Sequence, residues 1–246
     1  MKKIVKILRG IGYLAAFSLI LYPVVSNYIN QMNSTTIATD YEQEVSHLSE
    51  EQENAMIEQW SAVRKESNYL NSVLSDLLKE QRADIEKFTK DKELQKEYTQ
   101  RVFPELLESL RRDTTCGVFL VMANDQPIGA PGDFTGFFLR DSDPVTKADT
   151  NSDLLLERGD KTLARQWGIT LDNSWSPAFR FQGKGIRESD DFFYEPYTAG
   201  MAHTGVDMAS LGYWSMPFIL EDYEMDNHKM ITYSVPLVND GVIYGV

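Results

Sequence analysis

A chain of 246 residues, 42% hydrophobic and 25% charged, has room for one ordinary domain with appendages or for two small domains. Its formal net charge is −13, and so acidic a surface repels phosphate backbones, which argues against nucleic acid as a partner. The single cysteine, Cys116, excludes an intramolecular disulfide and a thiolate metal cluster.

The charge is unevenly spread. Residues 1–27 carry Lys2, Lys3, Lys6 and Arg9 and no acid, leaving 20 basic against 37 acidic residues in the rest of the chain. From Gly10 to Thr39 nothing is charged, and Ile11–Val25, "IGYLAAFSLILYPVV", is almost wholly apolar. With Lys6 and Arg9 snorkelling at one end, a helix from Ile4 to Asn27 reaches the roughly 20 residues that a span requires. Basic residues before the run and acids after it predict a cytoplasmic N-terminus and an extracytoplasmic bulk. A cleaved signal peptide is the competing reading, with Val24 and Ser26 as the cleavage pair. Pro23 and the large Tyr22, Asn27 and Tyr28 make that a poor cleavage region. Residues 1–30 are therefore expected to be a cytoplasmic stub and an uncleaved anchor in the cell membrane.

Residues 40–112 read as helical. "SEEQ" at Ser49–Gln52 is a capping-box pattern. Met56, Trp60, Val63, Leu70, Val73, Leu74, Leu77, Leu78, Ile85 and Phe88 follow mostly at three- and four-residue steps, which makes one apolar stripe. A second helix is predicted from Asp91 through Leu110, with Pro104 kinking or restarting it. The stripe suits packing on the chain's own domain; the alternative is a stalk or the seam of a homodimer, for which the repeat is too irregular over any great length.

Residues 113–246 change character. "CGVFLVM" (Cys116–Met122), "FTGFFLRD" (Phe134–Asp141), "GYWSMPFIL" (Gly212–Leu220), "KMITYSVPLV" (Lys229–Val238) and "VIYGV" (Val242–Val246) read as five strands. Asn239–Gly241, "NDG", supplies the hairpin turn before the last of them. Residues 142–190 read as polar and irregular with a short helix near Leu163–Trp167, and Asp190–Ala202 as a cap and a short helix. Pro217 and Pro236 within strand-like runs point to edges or bulges. The expected fold is α+β, with long helices packed on an antiparallel five-stranded sheet. Cys116, opening an apolar run, is expected to be a buried strand residue and not a nucleophile.

No catalytic or cofactor motif is present. His47, His203 and His228 lack paired ligand spacing, and there is no GxSxG or phosphate-binding glycine loop. Aromatics are the stronger signal: Phe192, Phe193, Tyr194, Tyr197, Tyr213, Trp214, Phe218 and Tyr233 crowd into a short stretch. Several must be core, yet Tyr and Trp with polar tips are also the usual lining of a small-molecule pocket.

"DFFYEPYTAG" (Asp191–Gly200), "LGYWSMPF" (Leu211–Phe218) and "ITYSVPLVNDGVIYGV" (Ile231–Val246), in that order, resemble the distal Cache (PAS-like) sensor domain of bacterial transmembrane receptors. "GFFLRDSDP" and "DLLLERG" are similar to a subgroup fused to diguanylate cyclase or histidine kinase outputs. The resemblance spans residues 70–246 and implies a ligand held between sheet and loops. It points to Tyr194 and Tyr197 on the short helix, Trp214 and Tyr233 on the next strands, and Arg140 and Asp191 at the rim. It also implies that the last strand, a membrane-proximal lobe, a second span and an output domain continue past Val246, so the chain reads as an N-terminal fragment of a sensor. In the amino-acid-binding version an arginine grips the ligand carboxylate; here Asp191 stands in its place, which favours a cationic or neutral ligand.

Two other readings compete. Leu21–Gln31 and Tyr41–Met56 resemble the anchor and lead-in helix of class C sortases, which would make the chain a membrane transpeptidase. Cys116 in "DTTCGVF" lies mid-chain, however, and lacks that family's setting. The third reading is a membrane-anchored binding protein with no signalling role. A reporter fused after Asp40 should be extracytoplasmic and remain with the membrane fraction; release of soluble protein would favour signal cleavage.

Overall fold

The computed structural model describes residues 63–246 except 114, 128, 145–149, 204 and 220–228. The predicted anchor, the capping pattern at Ser49–Gln52, His47 and His228 lie outside the described residues. Among those described, no helix is long and apolar enough to cross a membrane.

Helix α1 occupies residues 63–81. The predicted single stripe through Phe88 breaks there, because Arg82 adopts a positive φ of 49° and Asp84 starts a new helix, its carboxylate accepting the Lys87 N–H. That helix, α2 (Ile85–Lys90), ends on Asp91, which also caps α3 (Lys92–Arg112) by accepting the Glu93 and Leu94 amides. Helix α3 does not restart at Pro104; it runs through it. Leu94, Tyr98, Val102, Leu106 and Leu110 recur at four-residue steps and are all buried. Burying each such leucine contributes about 1.5–3 kcal/mol.

These helices cover one face of a sheet in the order β1 (Gly117–Val121), β3 (Gly136–Asp141), β4 (Leu154–Arg158), β5 (Thr170–Ser176). The fold is thus α+β, but the five-stranded antiparallel expectation needs correction. β1–β3 and β3–β4 are antiparallel, whereas β4–β5 are parallel, joined across α4 (Lys161–Trp167) as a parallel pair requires. Both β4 and β5 fall in the stretch expected to be irregular. β4 is a continuous buried run without alternation, and β5 is a polar sheet edge, so neither shows a period of two.

The remaining strands form small pairs. β2 (Gly132–Phe134) pairs with β6 (Phe179–Phe181), β7 (Tyr213–Trp214) with β8 (Tyr233–Ser234), and β9 (Leu237–Asn239) with β10 (Val242–Gly245). Asp240 and Gly241 take the positive φ values of the expected hairpin turn, 49° and 78°. Pro217 and Pro236 lie in the breaks between short pairings, so the two long strands expected around them are interrupted.

Alternation on β1 and β3 sorts the core into two layers. Leu120, Met122, Phe137 and Leu139 face the helices, with Leu74, Leu77, Phe103 and Leu107 against them. Val121 and Phe138 face the other way, into Phe134, Phe179, Phe181, Phe192 and Phe218. Helix α5 (Asp191–Ala202) lies on that second, aromatic face. Cys116 is exposed, contrary to expectation: it occupies the bend before β1, its carbonyl accepting the Asp141 N–H at 3.0 Å, and burial becomes complete only at Leu120.

Gly136 marks the tightest approach in the sheet, since a Cβ there would stand 1.9 Å from the Leu120 carbonyl oxygen. Gly136→Ala should force β1 and β3 apart and cost about 1–3 kcal/mol or more in urea unfolding. Unchanged stability would contradict this packing.

Candidate ligand site

Helix α5 is seated by contacts on both sides. Phe192 stacks on Phe218 (5.4 Å, 4°) and meets Phe119 edge-on at 4.9 Å. Phe193 stacks on Phe181 at 4.9 Å and on Tyr197 at 5.3 Å. The Ser234 hydroxyl donates to the Phe192 carbonyl at 2.7 Å, tying β8 to α5. Near the far end, a Cβ on Gly200 would stand 2.8 Å from Ile243 and 2.9 Å from Pro236, so glycine permits the helix to settle there.

Within this frame the six predicted residues fall into three groups. Tyr194 is core: it is 1% exposed, its ring packs against Phe181 and Phe193, and its hydroxyl donates to the Ala130 carbonyl at 2.8 Å. Burial, with the Asp190 carboxylate adding, pushes its phenol up to about 12. Tyr197 is half-buried, and burial raises its phenol too.

Trp214 and Tyr233 form the second group. They are cross-strand partners on β7 and β8, with ring centroids 4.9 Å apart, and both are half-buried. Gly212 makes room for this pair, since a Cβ there would lie 2.1 Å from the Tyr233 hydroxyl. The Tyr194 and Tyr197 rings turn into Phe181 and Phe193, toward the core and not toward this pair.

Arg140 and Asp191 behave differently from each other. Arg140, on β3, donates to Glu157 at 2.5 Å and Asp172 at 3.0 Å, so carboxylates of β4 and β5 neutralise it within the sheet layer. Asp191 sits in the first turn of α5, half-buried. Burial, then the Glu195, Glu188 and Asp190 carboxylates, raise its carboxyl, while Lys184 opposes them.

Tyr213, noted among the aromatics but not as a site residue, and Lys184 complete this edge. The Tyr213 phenol is raised by burial and then by Asp191, Glu195 and Glu188, which puts it beside the acidic turn. Lys184 reaches across to Glu195 at 3.2 Å and to the Thr198 hydroxyl at 2.7 Å. The adjacency of Tyr213 to Trp214 was the available signal for Tyr213; Lys184, in a glycine loop, gave none. Asp190 turns inward to accept the Gln182 N–H at 2.8 Å instead of capping α5.

Chemically, the indole–phenol pair offers an apolar wall with polar tips, Asp207 acts on Tyr233, and the acidic turn beside Tyr213 would favour a positive or hydrogen-bond-donating group. Among the described residues, no set of three or more His, Cys, Asp or Glu side chains could hold a metal ion. An open depression of about 710 Å³ lies at the α2–α3 junction, where Asp84, Lys87 and Glu93 line it; it is solvated and highly charged, a poor match to a concave apolar site.

No family model, curated protein or solved structure matches the chain.

The buried Tyr194 phenol yields a pH prediction. Its folded pKa exceeds its unfolded value near 10, so its contribution to stability is intact below pH 10 and is lost as pH rises toward 12. Tyr194→Phe should cost on the order of 1 kcal/mol at neutral pH, through the unpaired Ala130 carbonyl, and should flatten part of the fall above pH 10. Unfolding midpoints measured from pH 7 to 12 test this; an unaltered alkaline slope would count against it.

Proposed function

We propose that the chain is the extracytoplasmic ligand-sensing part of a membrane-anchored bacterial signalling receptor, with a PAS-like domain of the Cache type. The observation that carries the reading is the half-buried Trp214–Tyr233 pair on β7 and β8, which Ser234 ties to α5. A division of labour suits a sensor. One face is a closed core, while Tyr213, next to Trp214 on β7, lies beside the acidic turn of Glu188, Asp191 and Glu195, and Asp207 acts on Tyr233. Asp191 disfavours an anionic ligand, so the ligand class is a small cationic or neutral molecule.

Signalling needs a path from that face to the N-terminal helices, which follow the apolar run in the chain. β10 supplies one, because Ile243 abuts α5 at Gly200 and the Tyr244 hydroxyl donates to Asn71 of α1 at 2.8 Å. A ligand that favours one seating of α5 would bias the helices by population shift, without catalysis. The output would be of diguanylate cyclase or histidine kinase type by the resemblance, and α1 is a candidate seam for a homodimer.

The test is thermal denaturation of the full chain in detergent against a panel of small amines, neutral solutes and carboxylates. An amine or neutral compound should raise the Tm, and Trp214→Ala should reduce that rise far more than it lowers the ligand-free Tm. If Trp214→Ala lowers the free protein as much as the complex, Trp214 is core and the site fails.

A further inference from the structure

A second acidic feature lies at the other end of β3. Asp141 closes that strand, and its register partner is Leu154, the first residue of β4, so Asp153 arrives beside the β3 terminus. The Ser142 amide and hydroxyl both donate to the Asp153 carbonyl, at 3.2 and 2.9 Å, which pins the two chain segments together. Both aspartates are deeply buried, Asp141 at 4% and Asp153 at 5% exposure. The two side chains are neighbours: burial first, and then the Asp153 and Asp143 carboxylates, raise the Asp141 carboxyl.

Among the described residues, the charges acting on Asp141 are carboxylates, while Arg111 donates to Asn151 close by. Asp141 accepts the Asp143 N–H at 2.9 Å, and the charges that act on it are the carboxylates of Asp153 and Asp143. Asp153 takes a long contact from the Thr150 hydroxyl on one oxygen, at 3.4 Å, while its other oxygen, Oδ2, is buried with no hydrogen-bond partner. A buried carboxylate oxygen left without a donor, next to a second buried carboxylate, is an arrangement that calls for a cation. Other buried or half-buried acids meet a cation or an amide: Glu157 and Asp172 meet Arg140, Glu66 meets Arg112 through one oxygen, and Asp190 accepts a backbone amide.

We propose that Asp141 and Asp153 are the acidic core of a binding site for a hard divalent cation of the calcium type. Two carboxylates and no nitrogen or sulfur donor make a poor transition-metal set. A calcium-class ion takes six to eight oxygens in a flexible geometry and draws the remainder from hydroxyls, carbonyls and water. The Ser142, Thr150 and Ser152 hydroxyls supply oxygens close by: Ser142 reaches the Asp153 carbonyl, and Thr150 meets both Ser152, at 2.9 Å, and Asp153. The bound ion would clamp the end of β3 to the start of β4, on strands that also carry Arg140 and Glu157. This site is separate from the aromatic face and stands whether or not that face binds a ligand.

A proton shared by the two carboxylates is the competing way to relieve their repulsion, and the experiment separates the two. The full chain in detergent is titrated with calcium chloride at fixed pH and ionic strength, by calorimetry and by melting, with magnesium chloride in parallel. Calcium should bind with a Kd on the order of 10⁻⁴–10⁻³ M and raise the Tm, with magnesium weaker. Asp153→Asn and Asp141→Asn should each weaken calcium binding at least about tenfold, yet in EDTA melt no lower than the parent chain, because repulsion has been removed. Asp133→Asn, at an exposed acid on β2, should leave calcium binding unchanged. Absence of calcium binding at millimolar concentration, or binding that survives Asp153→Asn, overturns the proposal.

Discussion

Strand β10 is the constraint on which the two layers of this protein depend. It does not merely extend a hairpin. Its backbone pairs with the end of β1, through Val121 N–H to the Val246 carbonyl, Val246 N–H to the Val121 carbonyl, and Ala123 N–H to the Tyr244 carbonyl, each at 2.8 Å. Tyr244 is fully buried among the helices, where Phe88 and Tyr98 meet it edge-on and its hydroxyl joins Tyr98 and Asn71. Ile243 abuts Gly200 of α5, and Val246 belongs to the aromatic layer. One short strand therefore touches both cores.

The polar groups along this seam are matched, which is why it can be buried. Tyr98 donates onward to the Leu70 carbonyl at 3.1 Å, Asn239 to the Ser75 hydroxyl at 2.8 Å, and Gln95 to the Ala123 carbonyl at 2.9 Å. Each such bond contributes only about 0.5–1.5 kcal/mol net, but leaving any buried partner unmade costs more, so the register of β10 against α1 and α3 is tightly specified. Burial holds the Tyr98 and Tyr244 phenols well above their ordinary values, so the network stays protonated through the neutral range. A seam with one allowed register passes on displacement; a loosely packed one would absorb it.

Much of the helical half was legible from the spacing of Leu70, Leu74, Leu77 and Leu78 and then of Leu94 to Leu110, since an amphipathic stripe survives any tertiary context. The Arg82–Asp84 break was not, because a left-handed arginine has no local signature. The "NDG" turn was legible from turn chemistry; α5 was expected at the right place although Asp190, read as its cap, turns inward to Gln182. β4 and β5 were hidden for opposite reasons: Leu154–Leu156 is buried without alternation, and Thr170–Ser176 is a polar edge. For the candidate site, crowding of aromatics pointed to the aromatic layer but could not say which rings are core. Tyr194 differs from Trp214 by an acceptor 64 residues away in sequence, the Ala130 carbonyl, and such a partner is invisible until the chain is folded.

On this account β10 joins the helical and aromatic layers into one cooperative unit. Hydrogen–deuterium exchange of the full chain, followed by mass spectrometry, tests it most directly. The amides of residues 242–246 and 121–123 should exchange as slowly as those of Gly136–Asp141, since all would open only with the whole fold. Exchange at 242–246 many-fold faster than in β3 would show that β10 is a detachable flap, and the coupling of the two layers through it would be wrong.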